Sequence, residues 1–143
     1  MHVAAILKDK GRSVETIGTQ ATIMDVATRL SAKRIGSIVV TSQDGGIAGI
    51  ISERDVIRVI GQHGASALDW PVTEAMSRSV MTCRESDTVD TLMSIMTTRR
   101  FRHLPVLEGG RLAGIVSIGD VVKHRVAEVE FEATVMRDYI TAN

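Results

Sequence analysis

Two short stretches carry the residues best placed to do chemistry: Ser52-Glu53-Arg54-Asp55 and Ser117-Ile118-Gly119-Asp120. Each sets a serine three residues before an aspartate, where a strand-like apolar run gives way to a helical pattern. One use of this spacing is local. The hydroxyl can accept from a backbone N–H in the first helical turn while the acid reaches back, a capping box that also complements the helix dipole. The other use faces outward. A helix N-terminus behind a glycine-containing strand favours a phosphate, and the hydroxyl adds a donor. An aspartate one turn in can accept two hydrogen bonds from the vicinal hydroxyls of a ribose. Gly49 and Gly114 recur at the same place before each serine. A cap alone does not require them, so they favour the outward use.

The segments that must position these residues are themselves repeated. Ala48-Gly49-Ile50-Ile51-Ser52 returns as Ala113-Gly114-Ile115-Val116-Ser117, sixty-five positions later. Ile23, Val26, Ala27 and Leu30 form one helix face, and Val89, Leu92, Met93 and Met96 repeat it at an offset of sixty-six. Lys33-Arg34 and Arg99-Arg100 follow, then the strand-like runs from Ser37 to Val40 and from His103 to Val106. Asp44-Gly45-Gly46 and Glu108-Gly109-Gly110 are hairpin turns, the second tighter by one residue. Upstream, Ser13-Val14-Glu15-Thr16 aligns with Ser79-Val80-Met81-Thr82 as a short opening strand.

The expected fold class is α+β, with two pseudo-symmetric β-α-β-β-α repeats packed through their sheets, each covering the other's apolar face. The expected divisions are a short N-terminal helix at 1–12 carrying Val3, Ile6 and Leu7, a first repeat at 13–62, a linker at 63–78, a second repeat at 79–127 and a helical extension at 128–143. Pro71 is placed to open a short helical turn in the linker. Val122, Val126, Val129, Ala133, Met136 and Ile140 alternate steps of four and three, a heptad-like seam. It can cover the chain's own core or form a dimer contact, and both remain open at this point.

Composition narrows the function classes. The 17 basic side chains balance the 17 acidic ones, so no global field draws the chain to nucleic acid or to a membrane surface. The apolar runs SIVV and IAGII fall far short of the ~20 residues needed to cross a bilayer. The start lacks a signal peptide's apolar middle, and Cys83 is the only cysteine, which favours a reducing cytoplasm. Aromatic content of 3% leaves few rings for stacking single strands. His103 has no partner at metal-ligand spacing, and neither a Walker loop nor a Ser-His-Asp arrangement is present, so no enzyme is expected. Cys83 reads as a small buried hydrophobe, the methionines at helical spacing as core, and Lys123-His124-Arg125 as a solvated helix face.

The doubled pattern of glycine, two apolar residues, serine, two variable residues and aspartate resembles the signature of the CBS domain family, named for cystathionine beta-synthase. It stands here as Gly49 to Asp55 and Gly114 to Asp120, and Arg102-His103-Leu104-Pro105-Val106 is typical as well. The resemblance covers roughly residues 10–127. It implies a tandem pair, or Bateman module. Such a module is a non-catalytic sensor that binds adenosine compounds (AMP, ADP, ATP, NAD or S-adenosylmethionine, with AMP or NAD foremost) in clefts between the repeats. It implies energy sensing or similar regulation, a homodimer, and a target protein in another chain. By the same resemblance Asp120 and Asp55 hold ribose, and Ser117, Ser52, Arg54, Arg102 and His103 face phosphate. Thr16, Ile17, Gly18 and Ala21 read the adenine beside Asp120, Thr82, Cys83 and Arg84 do so beside Asp55, and Ile115 and Ile50 flank the base. The Asp120 cleft is the expected better site, because Arg102 and His103 have only Gly36 and Ser37 as counterparts. The alternative is an oligomerisation or docking module that binds no ligand and keeps the Ser-x-x-Asp motifs purely as caps.

Overall fold

Each repeat starts its first helix on a threonine. Thr22 caps the helix α2 (Ile23–Lys33) through a reciprocal pair with Asp25, and Thr88 accepts from the Thr91 N–H at the head of α4 (Val89–Arg99). Both helices stop the same way, on Arg34 and Arg100 in the left-handed region at φ 53° and 59°. The computed structural model describes residues 1–142. The remaining elements are α1 (Val3–Lys10), β1 (Thr16–Gly18), β2 (Ser37–Thr41), β3 (Ile47–Ser52), α3 (Glu53–His63), β4 (His103–Glu108), β5 (Arg111–Ser117) and α5 (Ile118–Ala142), with 3-10 turns at Ala65–Asp69 and Val72–Glu74. The mixed helix and strand composition is the expected one. Pro71 does stand at the head of the second 3-10 turn. The chain divides into two compact units, one of Val14–Val80 and one that joins Met1–Ser13 to the residues from Met81 onward.

In the unit Val14–Val80, β1 runs parallel to β2 and β2 antiparallel to β3, with a register shift between Val40 and Thr41. Ile23, Val26 and Leu30 of α2 pack with Ile38, Val40 and Ile51 of the sheet and with Val56 and Val59 of α3. The helical period of three and four and the strand period of two thus meet in one buried cluster. The segment from Trp70 to Ser77 closes this unit. Ile23 N donates to Trp70 O, Val72 N to Ala21 O, and Ser77 pairs with Ile50 through two backbone bonds of 2.8 and 3.0 Å.

The other unit holds the β4–β5 hairpin, α4, α5 and α1. Here the expected opening strand is reduced to a single bridge between Cys83 and Val106. The cause lies in one side chain. In the first repeat Val39 N donates to Glu15 O, whereas the counterpart of Val39 is Pro105, which has no N–H to give. Only Cys83 N to Pro105 O and Leu107 N to Cys83 O remain.

The N-terminal segment does more than pack on the surface. Val3 N donates to Asp87 O and Val89 N to Met1 O, the same two bonds that Val72 and Ile23 make in the other unit. Met1 to Leu7 therefore completes one repeat as Trp70 to Met76 completes the other, and Val3, Ile6 and Leu7 are fully buried. At the far end α5 buries only Val121. Val122, Val126, Val129, Met136 and Ile140 are 47–66% exposed, so the seam does not cover this chain's own core. The segment Lys123-His124-Arg125 is not simply a solvated face, since even the exposed Lys123 lies 4.0 Å from Asp9. His124 lies 3.4 Å from Asp9, and Arg125 lies 3.4 Å from Asp90. Met76 and Met96 are core as expected, while Met24 and Met136 are exposed. Among the described residues no helix is long and apolar enough to cross a membrane.

Candidate functional site

The strand β5 ends at Ser117 and α5 begins at the next residue, so the chain turns a corner on the serine. Ser117 N donates to Asp120 Oδ2 at 2.9 Å, and Asp120 N donates to Ser117 Oγ at 3.1 Å. The capping box is therefore complete, with an acid where the helix dipole favours one. Ile118 N donates to Arg102 O at 2.8 Å, and His103 stands opposite Ser117 in the strand register. Ser117, Asp120, Arg102 and His103 are thus gathered at one end of the β4–β5 pair. Arg102 is exposed and His103 half-buried.

The first repeat builds the same corner. Ser52 N and Ser52 Oγ both donate to Asp55 Oδ2, at 2.8 and 3.0 Å, and Asp55 N donates back to Ser52 Oγ at 3.3 Å. Glu53 N donates to Gly36 O, and Ser37 faces Ser52, so Gly36 and Ser37 occupy the places of Arg102 and His103. Arg54 is exposed in the first turn of α3. The two corners share a backbone and differ in charge.

Each aspartate also carries a cation that lies outside the expected site residues. Lys10, at the C-terminal end of α1, donates from Nζ to Asp120 Oδ2 at 2.7 Å and to Ile115 O at 3.0 Å. Burial works against the charged carboxylate here, but the Lys10 ammonium and the Ser117 donors outweigh it and hold Asp120 below the usual carboxylate range. In the other corner Arg58 donates to Asp55 Oδ1 at 2.9 Å. Arg58 sits three residues along the same helix and could have been found as an i,i+3 pair. Lys10 lies 110 residues from its partner, and no sequence spacing signals it.

The residues expected to read adenine divide between the units. Ile17 and Ala21 line a cavity of about 450 Å³ together with Asp25, Thr28, Arg29 and Lys33. Thr16 O already accepts from Arg29 Nη1 at 2.7 Å, and Gly18 O accepts from Ala21 N. Thr82, Cys83 and Arg84 line a second cavity of about 710 Å³ with Asp87 and Glu108. Burial pushes the Cys83 thiol up to about 12, with Asp87 adding to the shift, so it is no nucleophile at neutral pH. Asp120, Ser117, Ile115, Arg102 and His103 belong to the unit of Thr82–Arg84. Asp55, Ser52, Arg54 and Ile50 belong to that of Thr16–Ala21. Each aspartate and its expected adenine-reading segment thus lie in different units.

The repeated glycines have a packing cause. A Cβ at Gly49 would stand 2.6 Å from Ser77 O and 2.7 Å from Met76 Sδ, and one at Gly114 would stand 2.7 Å from Leu7 Cδ2. They let the closing segment of each unit lie directly on its strand, which overturns the inference that the glycines by themselves favour a ligand. Among the described residues no cluster of His, Cys, Asp or Glu could hold a metal.

The comparison with known proteins decides the family. The CBS domain profile matches residues 7–62 and 72–127. The chain belongs to the CBS domain family. Its sequence is 32% identical to the mitochondrial CBS domain-containing protein CBSX3 of Arabidopsis thaliana, over 96% of this chain and 71% of that one. Among solved structures, a CBS-domain containing protein from Agrobacterium tumefaciens matches at 48% identity and a TM-score of 0.84, over 87% of this chain and 92% of that one. A CBS domain protein from Pyrobaculum aerophilum, solved in complex with AMP, matches at 29% identity and a TM-score of 0.79, over 93% and 99% of the two chains. The two CBS matches start at Leu7 and Val72, within the two closing segments described above.

Proposed function

We propose that this CBS pair is a non-catalytic regulatory module that binds an adenine nucleotide, AMP or NAD foremost, and acts on a separate target protein through a change in conformation or association. The observation that carries the proposal is the Asp120 corner. A carboxylate in the first turn of a long helix stands beside a serine hydroxyl, the helix N-terminus and the chain turn bearing Arg102 and His103. Asp120 receives the ribose diol. Ser117, Arg102, His103 and the open end of α5 receive phosphate, and Ile115 flanks the base. Asp55, Ser52, Arg54 and Ile50 form the weaker counterpart. The AMP bound by the Pyrobaculum relative supports the ligand class. Calorimetry with AMP and NAD tests it. Each charged hydrogen bond lost is worth about 1.5–3 kcal/mol, so Asp120→Ala is expected to weaken binding about tenfold or more. Unchanged affinity would remove the ribose assignment.

A second reading has its own support, since both acids are already engaged in complete capping boxes and both glycines have packing causes. In it the module only docks or oligomerises. No nucleotide would then shift its melting temperature.

Under either reading the exposed seam of α5 is proposed to meet a second copy of the chain. In a parallel, in-register pair the flanking residues Arg125 and Glu132 face Glu130 and Arg137 of the second copy, so both charge pairs attract. In the fully overlapped antiparallel pair Glu130 and Glu132 each meet themselves, and Lys123 meets Arg137. Light scattering should find a dimer that Glu132→Lys weakens and that Glu132→Lys with Arg137→Glu restores. A monomer at micromolar concentration would refute it.

A further inference from the structure

We propose that Lys10 makes the Asp120 site discriminate between phosphorylated and unphosphorylated adenosine compounds, because a ribose diol reaches this carboxylate only by taking it from the Lys10 ammonium. The inference rests on the ribose assignment of Asp120. A diol chelates a carboxylate through both oxygens, and Oδ2 already holds the Lys10 ammonium and the Ser117 N–H. Lys10 is not a loose surface cation. Its ammonium is fixed at two points, Asp120 Oδ2 and Ile115 O, and its side chain is 32% exposed against 23% for Asp120. The helix that delivers it is anchored by buried Val3, Ile6 and Leu7, with Leu7 lying on Gly114. The neighbouring Asp9 holds His124, so the end of α1 is clasped to α5 at two successive residues.

The chemistry follows from the charge. A neutral nucleoside that takes Asp120 leaves the ammonium with no anion, and the lost ion pair counts against binding. A 5′-phosphate brings a new anion to the same corner, within the sweep of the lysine's four-carbon stem and beside the N–H groups that open α5. Lys10 therefore penalises adenosine and spares AMP. The Asp55 corner lacks this device. Its Arg58 is 53% exposed, lies on the same helix and has only a long 3.4 Å bond to Ala75 O besides Asp55, so it can yield its pair to water.

Calorimetry with adenosine and with AMP on the full chain tests the idea, using wild type, Lys10→Met, Lys10→Arg and Asp120→Ala. Lys10→Met is expected to tighten adenosine about two- to fivefold and to leave AMP no tighter, while Lys10→Arg keeps the wild-type ratio. If Lys10→Met alters both ligands by one factor, or neither, while Asp120→Ala still weakens both, the discrimination is refuted and the ribose assignment stands. If Asp120→Ala leaves AMP binding unchanged, the ribose assignment falls and the inference falls with it. Thermal melting of Lys10→Met separates a failure to fold from either result.

Discussion

The two glycines that lie under the closing segments should respond differently to the same added methyl group. At Gly49 an alanine Cβ meets a backbone atom, Ser77 O, at 2.6 Å. That carbonyl cannot retreat without breaking the two hydrogen bonds that join Ser77 to Ile50. Overpacking costs about 1–3 kcal/mol and each of the two strained hydrogen bonds about 0.5–1.5 kcal/mol, so Gly49→Ala should destabilise by about 2–6 kcal/mol. At Gly114 the clash is with the side-chain end of Leu7 alone, which can rotate. The cost there should fall at the low end, about 1–2 kcal/mol. Partner truncation separates the cases. In a Leu7→Ala background Gly114→Ala should cost nothing, whereas in a Met76→Ala background Gly49→Ala should keep most of its cost because Ser77 O remains. Urea unfolding followed by far-UV circular dichroism reads both, and the fluorescence of Trp70 reports the unit Val14–Val80. Equal coupling in the two cycles, or a neutral Gly49→Ala, would refute the reasoning.

The remaining expectations concern caps, acid and thiol. Ser52→Ala and Ser117→Ala should each lower stability by about 1 kcal/mol, and a neutral result at both would show that the boxes contribute nothing. Asp120 is held below its ordinary value in the folded chain, so its contribution is complete above the unfolded pKa near 4 and is lost as pH falls through the folded value. Acid titration of unfolding should therefore be flatter below about pH 4 in Asp120→Asn than in wild type, and identical slopes would contradict the shift. Cys83, buried with its thiol pushed up to about 12, should react with a thiol reagent at pH 8 only as fast as the fold opens. Prompt labelling of the native chain would show that it is accessible.

The duplication was legible because it is written in side chains with a strict period: the helix faces at an offset of sixty-six, the Gly-x-x-Ser-x-x-Asp stretches at sixty-five, and two glycine turns. Pro71 announced its turn through its fixed φ. The equivalence of Met1 to Leu7 with Trp70 to Met76 was not legible. The two segments match through backbone bonds to Asp87 and Ala21, and those bonds leave no mark on residue identity. The lost opening strand could have been found, since Pro105 where Val39 stands forbids the Glu15-type bond. The corner residues Ser52, Asp55, Ser117 and Asp120 were found as chemistry-bearing types. Lys10 was not, because nothing short of the packed α1 brings a residue 110 positions away onto that carboxylate.

Capping and ligand binding are often set against each other as explanations for such an acid, yet here the first can serve the second. The cap fixes Asp120 through one oxygen and one backbone N–H, which holds the carboxylate in place before any ligand arrives. Preorganisation of this kind removes an ordering cost that binding would otherwise bear. What then separates the two corners is the charge placed around an identical backbone. Asp55 has a solvent-facing arginine from its own helix, glycine and serine at the neighbouring strand, and Arg54 beside it. Asp120 has a lysine delivered from a remote helix, arginine and histidine at the neighbouring strand, and Gly119 where Arg54 stood. A pair kept only for its caps would have no need of that divergence, because a cap is blind to what lies beyond its own turn. The asymmetry of charge around a conserved corner geometry is therefore the feature that a purely structural account leaves without a cause.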